Sequence, residues 1–189
     1  MKHFIITYEN NLDFARETSD ILKRDWDIDC EIIVGHTIGG KYHRTNVIMY
    51  NWIDFILPRA MQCEEDVIIF EDDIRLVKSI EIPDCDVYWF GFRKGRLTNK
   101  RPYITGTQGI FFKKNMLSEL YDNFNARKRK CQIDYGMSQF CCGVMEKYKI
   151  EQPKLSLCYE QEHTSLISMD DWSKFTTPPK VKKDNLTKS

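Results

Sequence analysis

Residues 67–76 read VIIFEDDIRL. Four apolar residues run without alternation, as they do in a strand covered on both faces. Three carboxylates follow at once, Glu71, Asp72 and Asp73, before the apolar pattern resumes at Ile74 and Leu76. In an open α/β sheet, ligands sit beyond the carboxyl ends of the strands, so these charges stand where a site is expected. Extended chain alternates its faces, which lets Glu71 and Asp73 point one way and Asp72 the other. The competing reading is a solvated acidic loop, since Glu64, Glu65 and Asp66 just upstream show that the chain places carboxylates in loops.

Working outward, strands and helices alternate. HFIITY (3–8) reads as a buried strand, and Leu12, Phe14, Ala15, Thr18, Ile21 and Leu22 recur at helical spacing behind Asn10 or Asn11 as cap. CEIIV (30–34) is a strand and GHTIGGKYHR (35–44) a glycine-rich loop. Ile48, Trp52, Phe55 and Ile56 predict a helix that Pro58 limits. DVYWFGF (86–92) is a further strand, and GTQGIFFK (106–113) a glycine-hinged one. Helices are predicted from Met116, Leu117, Leu120, Tyr121 and Phe124, and from Met137, Phe140, Cys141 and Val144. The pattern predicts an α/β fold, a three-layer α/β/α sandwich with a mostly parallel central sheet. One domain over 1–175 and a mobile basic tail over 176–189 are expected.

The 189 residues carry 28 Lys and Arg against 28 Asp and Glu, so no global field argues for a polyanionic partner. Seven scattered cysteines include no CxxC, which fits free thiols in a reducing compartment. The apolar run near the start is too short for a signal peptide, and no stretch approaches a membrane span. A cytoplasmic protein without a transmembrane segment is the expectation.

Converging carboxylates repel one another unless a positive charge sits between them. Oxygen-rich sites suit Mg²⁺ or Mn²⁺, ions that keep positions open for phosphate oxygens. A divalent ion bridging a diphosphate is therefore the functional reading of the acidic cluster.

YHRTNVIMYNWIDFILPRAMQCEEDVIIFEDDI (42–74) resembles a GT-A-type glycosyltransferase, and more narrowly the lipooligosaccharide and collagen galactosyltransferase family. There a helix precedes a strand that ends in a DxD-type acidic motif, often EDD. GTQGIFFKK (106–114), IDYGMSQF (133–140) and PKLSLCYEQEHTSLIS (153–168) are similar, in order, to the family's glycine-rich segment, acceptor-side acidic motif and C-terminal segment. The chain is shorter than typical members, and a viral or bacteriophage member is one form the resemblance takes.

The resemblance implies a set of roles. Asp73 would bind the metal directly, with Asp72 or Glu71 on the donor ribose or a metal-bound water. Thr7 and Tyr8 would meet the base, with Arg44 and Asn46 nearby; an ordinary solvated cation is the other reading of Arg44. His163 would be a further metal ligand, or simply an exposed histidine. Asp134 would be the catalytic base of an inverting transfer, or a helix N-cap. Gly106 and Gly109 would let backbone approach the donor sugar, with Thr107 and Gln108 as sugar contacts.

Two basic runs, RKGRLTNKR (93–101) and ARKRK (126–130), read as solvated faces, as holders of a diphosphate or acidic glycan, or as tracks for a nucleic-acid backbone. Three functions follow. The first is a metal-dependent enzyme moving a sugar from a UDP-sugar donor to a glycan hydroxyl. The second is a DNA glycosyltransferase acting on an extruded hydroxymethylated base, with Trp52 and Trp172 as conceivable stacking groups. The third is a non-catalytic nucleotide- or glycan-binding module of the same fold.

Overall fold

The computed structural model describes residues 1–37, 47–96, 103–127 and 132–160. Six strands form the central sheet: β1 (Lys2–Tyr8), β2 (Cys30–Gly35), β3 (Val67–Glu71), β5 (Val87–Gly91), β8 (Gly109–Phe112) and β9 (Ile150–Glu151). Their order is β2-β1-β3-β8-β5-β9. The pairings β1–β2, β1–β3 and β5–β9 are parallel, whereas β8 runs against both its neighbours. The sheet is thus mostly parallel, as the unalternated apolar strands imply. Two small antiparallel pairs accompany it. β4 (Ile74–Leu76) pairs with β10 (Cys158–Glu160), and β6 (Lys94–Arg96) pairs with β7 (Tyr103–Thr105).

Strand periodicity divides the core between two faces. Phe4, Ile6, Val67, Ile69, Trp89, Ile110 and Phe112 pack on one side. They meet α2 (Val47–Asn51), α3 (Leu57–Met61), α4 (Leu117–Arg127) and α5 (Ile133–Gly143). Ile5, Ile68, Phe70, Phe90 and Phe111 pack on the other, beneath α1 (Leu12–Trp26) and the β4–β10 pair. The three expected layers are present.

Two local readings are corrected. Pro58 does not end its helix. A π-helical segment, Trp52–Ile56, joins α2 to α3, and Pro58 lies in the first turn of α3. A proline ring collides with the carbonyl four residues back, and the wider π-turn ahead of it relieves that clash while the helix continues. Asn11 occupies the N-cap position of α1, but its side chain makes no cap bond there. It turns instead toward Tyr8 and Asp72.

Among the described residues, no helix is long and apolar enough to cross a membrane. All the described cysteines are free thiols. Trp52 is fully buried, packed edge-on against Phe112 and Phe124, which leaves it no surface for stacking a base. Trp172 and the tail after 175 lie outside the described residues.

Candidate active site

The chain leaves β1 through α1 toward β2 and leaves β3 toward the opposite half of the sheet. The crevice between the carboxyl ends of β1 and β3 is therefore the topological switch point, where ligands of open α/β sheets bind. Register puts Ile6 beside Glu71, so Thr7 and Tyr8 stand directly against the acidic turn.

Asp72 is buried. The Thr7 hydroxyl donates to its Oδ2 at 2.6 Å, and the Asn11 side chain also bonds it. Burial pushes its carboxyl up to about 6, and the neighbouring Asp73 charge adds to the rise against the pull of those two donors. Asp73 follows in the same turn and is half-buried. Tyr8 is buried, with its hydroxyl accepting from Asn11 Nδ2 at 3.0 Å.

Glu71 turns the opposite way from Asp72, as alternation requires. Its Oε1 accepts from the Thr107 hydroxyl at 2.5 Å and from the Thr107 amide at 3.3 Å. Its own N–H donates to the Gln108 carbonyl. Glu71 therefore braces the 106–108 loop, a partner that the resemblance did not assign to it. Asp134 holds the same loop from the far side. It sits inside the first turn of α5, where Gln132 is the cap residue, so the N-cap reading is corrected. Its Oδ2 accepts the Gly106 N–H at 3.2 Å. Gly106 has φ +83°, a left-handed conformation that disfavours any side chain, and its carbonyl accepts from Trp89 Nε1 at 3.1 Å.

Thr107 and Gln108 are both buried, and Gln108 Oε1 is a buried acceptor without a partner among the described residues. Gly109 is packed against a ring: a Cβ there would fall 2.3 Å from Phe90 Cε2. That contact accounts for the missing side chain without a ligand.

The structure thus brings Thr7, Tyr8, Asp72 and Asp73 together at the carboxyl ends of β1 and β3. Glu71 links these strand ends to a loop whose other end is held by Asp134. Arg44, Asn46 and His163 lie outside the described residues, as do most of the two basic runs. Sequence reading missed Asn11, Thr18 and Arg75. Thr18 donates to the Asp72 carbonyl at 2.7 Å, and Arg75 Nη1 donates to Thr18 Oγ1 at 2.9 Å. The available signal was Arg75 itself, a cation between two apolar residues of a buried strand.

A divalent ion needs oxygen ligands close together. Among the described residues, no three His, Cys, Asp or Glu side chains converge as ligands. Asp72 and Asp73 are adjacent, and the Asp73 charge adds to the burial that raises the Asp72 carboxyl, a cost that a cation would relieve. Mg²⁺-type ions are commonly held by one or two carboxylates plus substrate phosphates, so this set fits.

No protein-family model matches the sequence, and no curated protein matches it either. Among solved structures, one similar fold is that of a glycosyltransferase involved in the glycosylation of the major capsid of PBCV-1. Identity is 12% and the TM-score 0.53, over 87% of this chain and 95% of that one. Another is a mutant Drosophila β1,4-galactosyltransferase 7 in complex with manganese, UDP-Gal and xylobiose. Identity is 8% and the TM-score 0.50, over 81% of this chain and 64% of that one. At such identities the likeness is one of fold. The architecture is GT-A-like.

Proposed function

We propose that this chain is a glycosyltransferase that takes a sugar from a UDP-type donor, with Mn²⁺ or Mg²⁺ held at Asp72 and Asp73, and passes it to a hydroxyl of a glycan. The observation that carries the reading is the buried Asp72 bonded to Thr7 at the switch point of a GT-A-like sheet. A buried carboxylate beside a second one is a costly arrangement that a cation would offset, leaving positions on the ion for a diphosphate.

Thr7 and Tyr8 would line the base side of the crevice, and Arg44 and Asn46 keep their proposed place near the nucleotide. His163 is proposed as a third ligand; it lies three residues beyond Glu160, whose backbone pairs with Ile74 next to Asp73. When bound, the ion would neutralise the diphosphate as it leaves. The braced 106–108 loop would shape the sugar pocket, with Thr107 and Gln108 facing the donor.

Asp134 is the proposed base. The Gly106 N–H fixes one of its oxygens, and the other would take the proton from the acceptor hydroxyl. The new bond then forms at the anomeric carbon as the bond to the diphosphate breaks.

Titration of UDP calorimetrically, with and without Mn²⁺, tests the donor half. Binding that requires Mn²⁺ is expected, and it should be lost in Asp73→Ala while the folded circular dichroism spectrum persists. Metal-independent binding, or a fully active Asp73→Ala variant, would sink the metal assignment. Incubation of a panel of UDP-sugars with simple glycosides, and separately with hydroxymethylated DNA, tests the acceptor. A mass gain on the glycoside supports the proposal, and one on the DNA alone replaces it with the DNA-modifying reading.

A further inference from the structure

Thr18 lies in the middle of α1 and is wholly buried. A threonine there normally returns its hydroxyl proton to a carbonyl one turn back in its own helix. This hydroxyl leaves the helix and donates to the Asp72 carbonyl at 2.7 Å. Its lone pair is filled by Arg75 Nη1 at 2.9 Å, and the same nitrogen donates to the Ile74 carbonyl at 2.8 Å. Arg75 Nη2 meets Glu17 Oε1 at 2.8 Å, which anchors the guanidinium on α1. The Arg75 side chain is 11% exposed.

The two carbonyls held in this way belong to Asp72 and Ile74, the residues on either side of Asp73. One buried guanidinium therefore clamps the backbone on both flanks of the turn, directly at Ile74 and through a hydroxyl at Asp72. A charged donor strengthens the hydroxyl's own bond by polarising it. Nη1 serves both acceptors at the turn while Nη2 is held by Glu17, a division between two fixed nitrogens that a guanidinium provides and a single ammonium does not.

We propose that Thr18 and Arg75 are positioning residues of the Asp72–Asp73 turn and set its affinity for a divalent cation. The proposal rests on the reading of that turn as the ion mount. Ligand carboxylates that lose their supporting shell typically lose metal affinity by ten- to a hundredfold.

The test is the free Mn²⁺ electron-paramagnetic signal, titrated into the full chain well below each variant's melting temperature. Thr18→Val and Arg75→Met should each weaken Mn²⁺ binding roughly tenfold, and Thr18→Ser should restore it. Wild-type Mn²⁺ affinity in folded Thr18→Val overturns the proposal, whatever its melting temperature. If Thr18→Val does not fold, Arg75→Lys decides alone. That variant keeps the charge without the fork, so weakened binding supports the proposal and unchanged binding overturns it. A wild-type chain that holds no Mn²⁺ at millimolar concentration also overturns it. Turnover of UDP-sugars is measured alongside. Variants that rank as expected in Mn²⁺ binding while the wild-type chain turns over no UDP-sugar leave the positioning role standing and remove the transfer reading. Variants that bind Mn²⁺ equally well, with wild-type turnover intact, do the reverse.

Discussion

Asp72 is one carboxylate under opposing pulls. The Thr7 and Asn11 donors favour its ionised form; burial and the Asp73 charge disfavour it and win, leaving it at about 6 against an ordinary 3.8. In the metal-free protein this has a definite sign. Below about pH 4 both folded and unfolded chains hold the proton. Between about pH 4 and 6 the folded chain keeps a proton that the unfolded chain has released, so stability falls as pH rises through that window. Above it the loss is complete and constant, on the order of 2–3 kcal/mol. Asp72→Asn should therefore be the more stable protein at pH 7 in the absence of metal, and its own curve should be flatter between pH 4 and 6. Urea denaturation at a series of pH values reads both. An unchanged slope would show that Asp72 is not the titrating group.

Glu71 shows where residue-level reading stopped. Its place in the acidic triplet was plain from the sequence, and so was its turning away from Asp72. Its partner was not, because Thr107 is 36 residues away and reaches Glu71 only through the antiparallel pairing of β8 with β3. The same holds for Thr18, whose helical spacing marked it as buried without showing that its hydroxyl serves Asp72, 54 residues on.

Elements carry the loop that joins the two halves of the candidate site. Asp134 and Ser138 lie four residues apart on α5 and so share one face. Asp134 holds the Gly106 N–H, while the Ser138 hydroxyl accepts from the Ile104 N–H and donates to the Ile104 carbonyl. The helix thus pins the end of β7 and the loop that follows. Close approach of β5 and β8 fixes the loop's other end. A Cβ on Gly91 would lie 2.4 Å from the Gly109 backbone nitrogen, and one on Gly109 would lie 2.3 Å from the Phe90 ring. Gly91→Ala meets backbone that cannot move without breaking the ladder. Gly109→Ala meets a ring, although that ring is packed against Phe70 and Tyr88. Both variants should be destabilised, Gly91→Ala the more so, by about 3 kcal/mol or more. Thermal melts of the two side by side check the order. Equal melting temperatures would overturn the order, and wild-type values for both would mean that the strands relax apart freely.

The whole molecule determines which thiols react. Burial raises the Cys85, Cys141 and Cys158 thiols well above their ordinary range, and all three are shielded from solvent. Native protein treated with a maleimide and mapped by mass spectrometry should leave these three unmodified, and full labelling should appear only in denaturant. Rapid native labelling of Cys141 would contradict the packing of α5 on the sheet.

The sequence by itself determined the class of fold, because unalternated apolar strands and helical periodicity are local patterns set by burial on one or two faces. It also marked the end of β3 as the candidate site, since three carboxylates after a buried strand are conspicuous without any partner. Tertiary structure alone decided what each carboxylate does. It sent Asp72 to Thr7, Glu71 to Thr107 and Asp134 to Gly106, and it let the helix run past Pro58 through a π-turn. Hydrogen bonds between residues 28 to 65 positions apart depend on strand order and register, and no local pattern of residues encodes those.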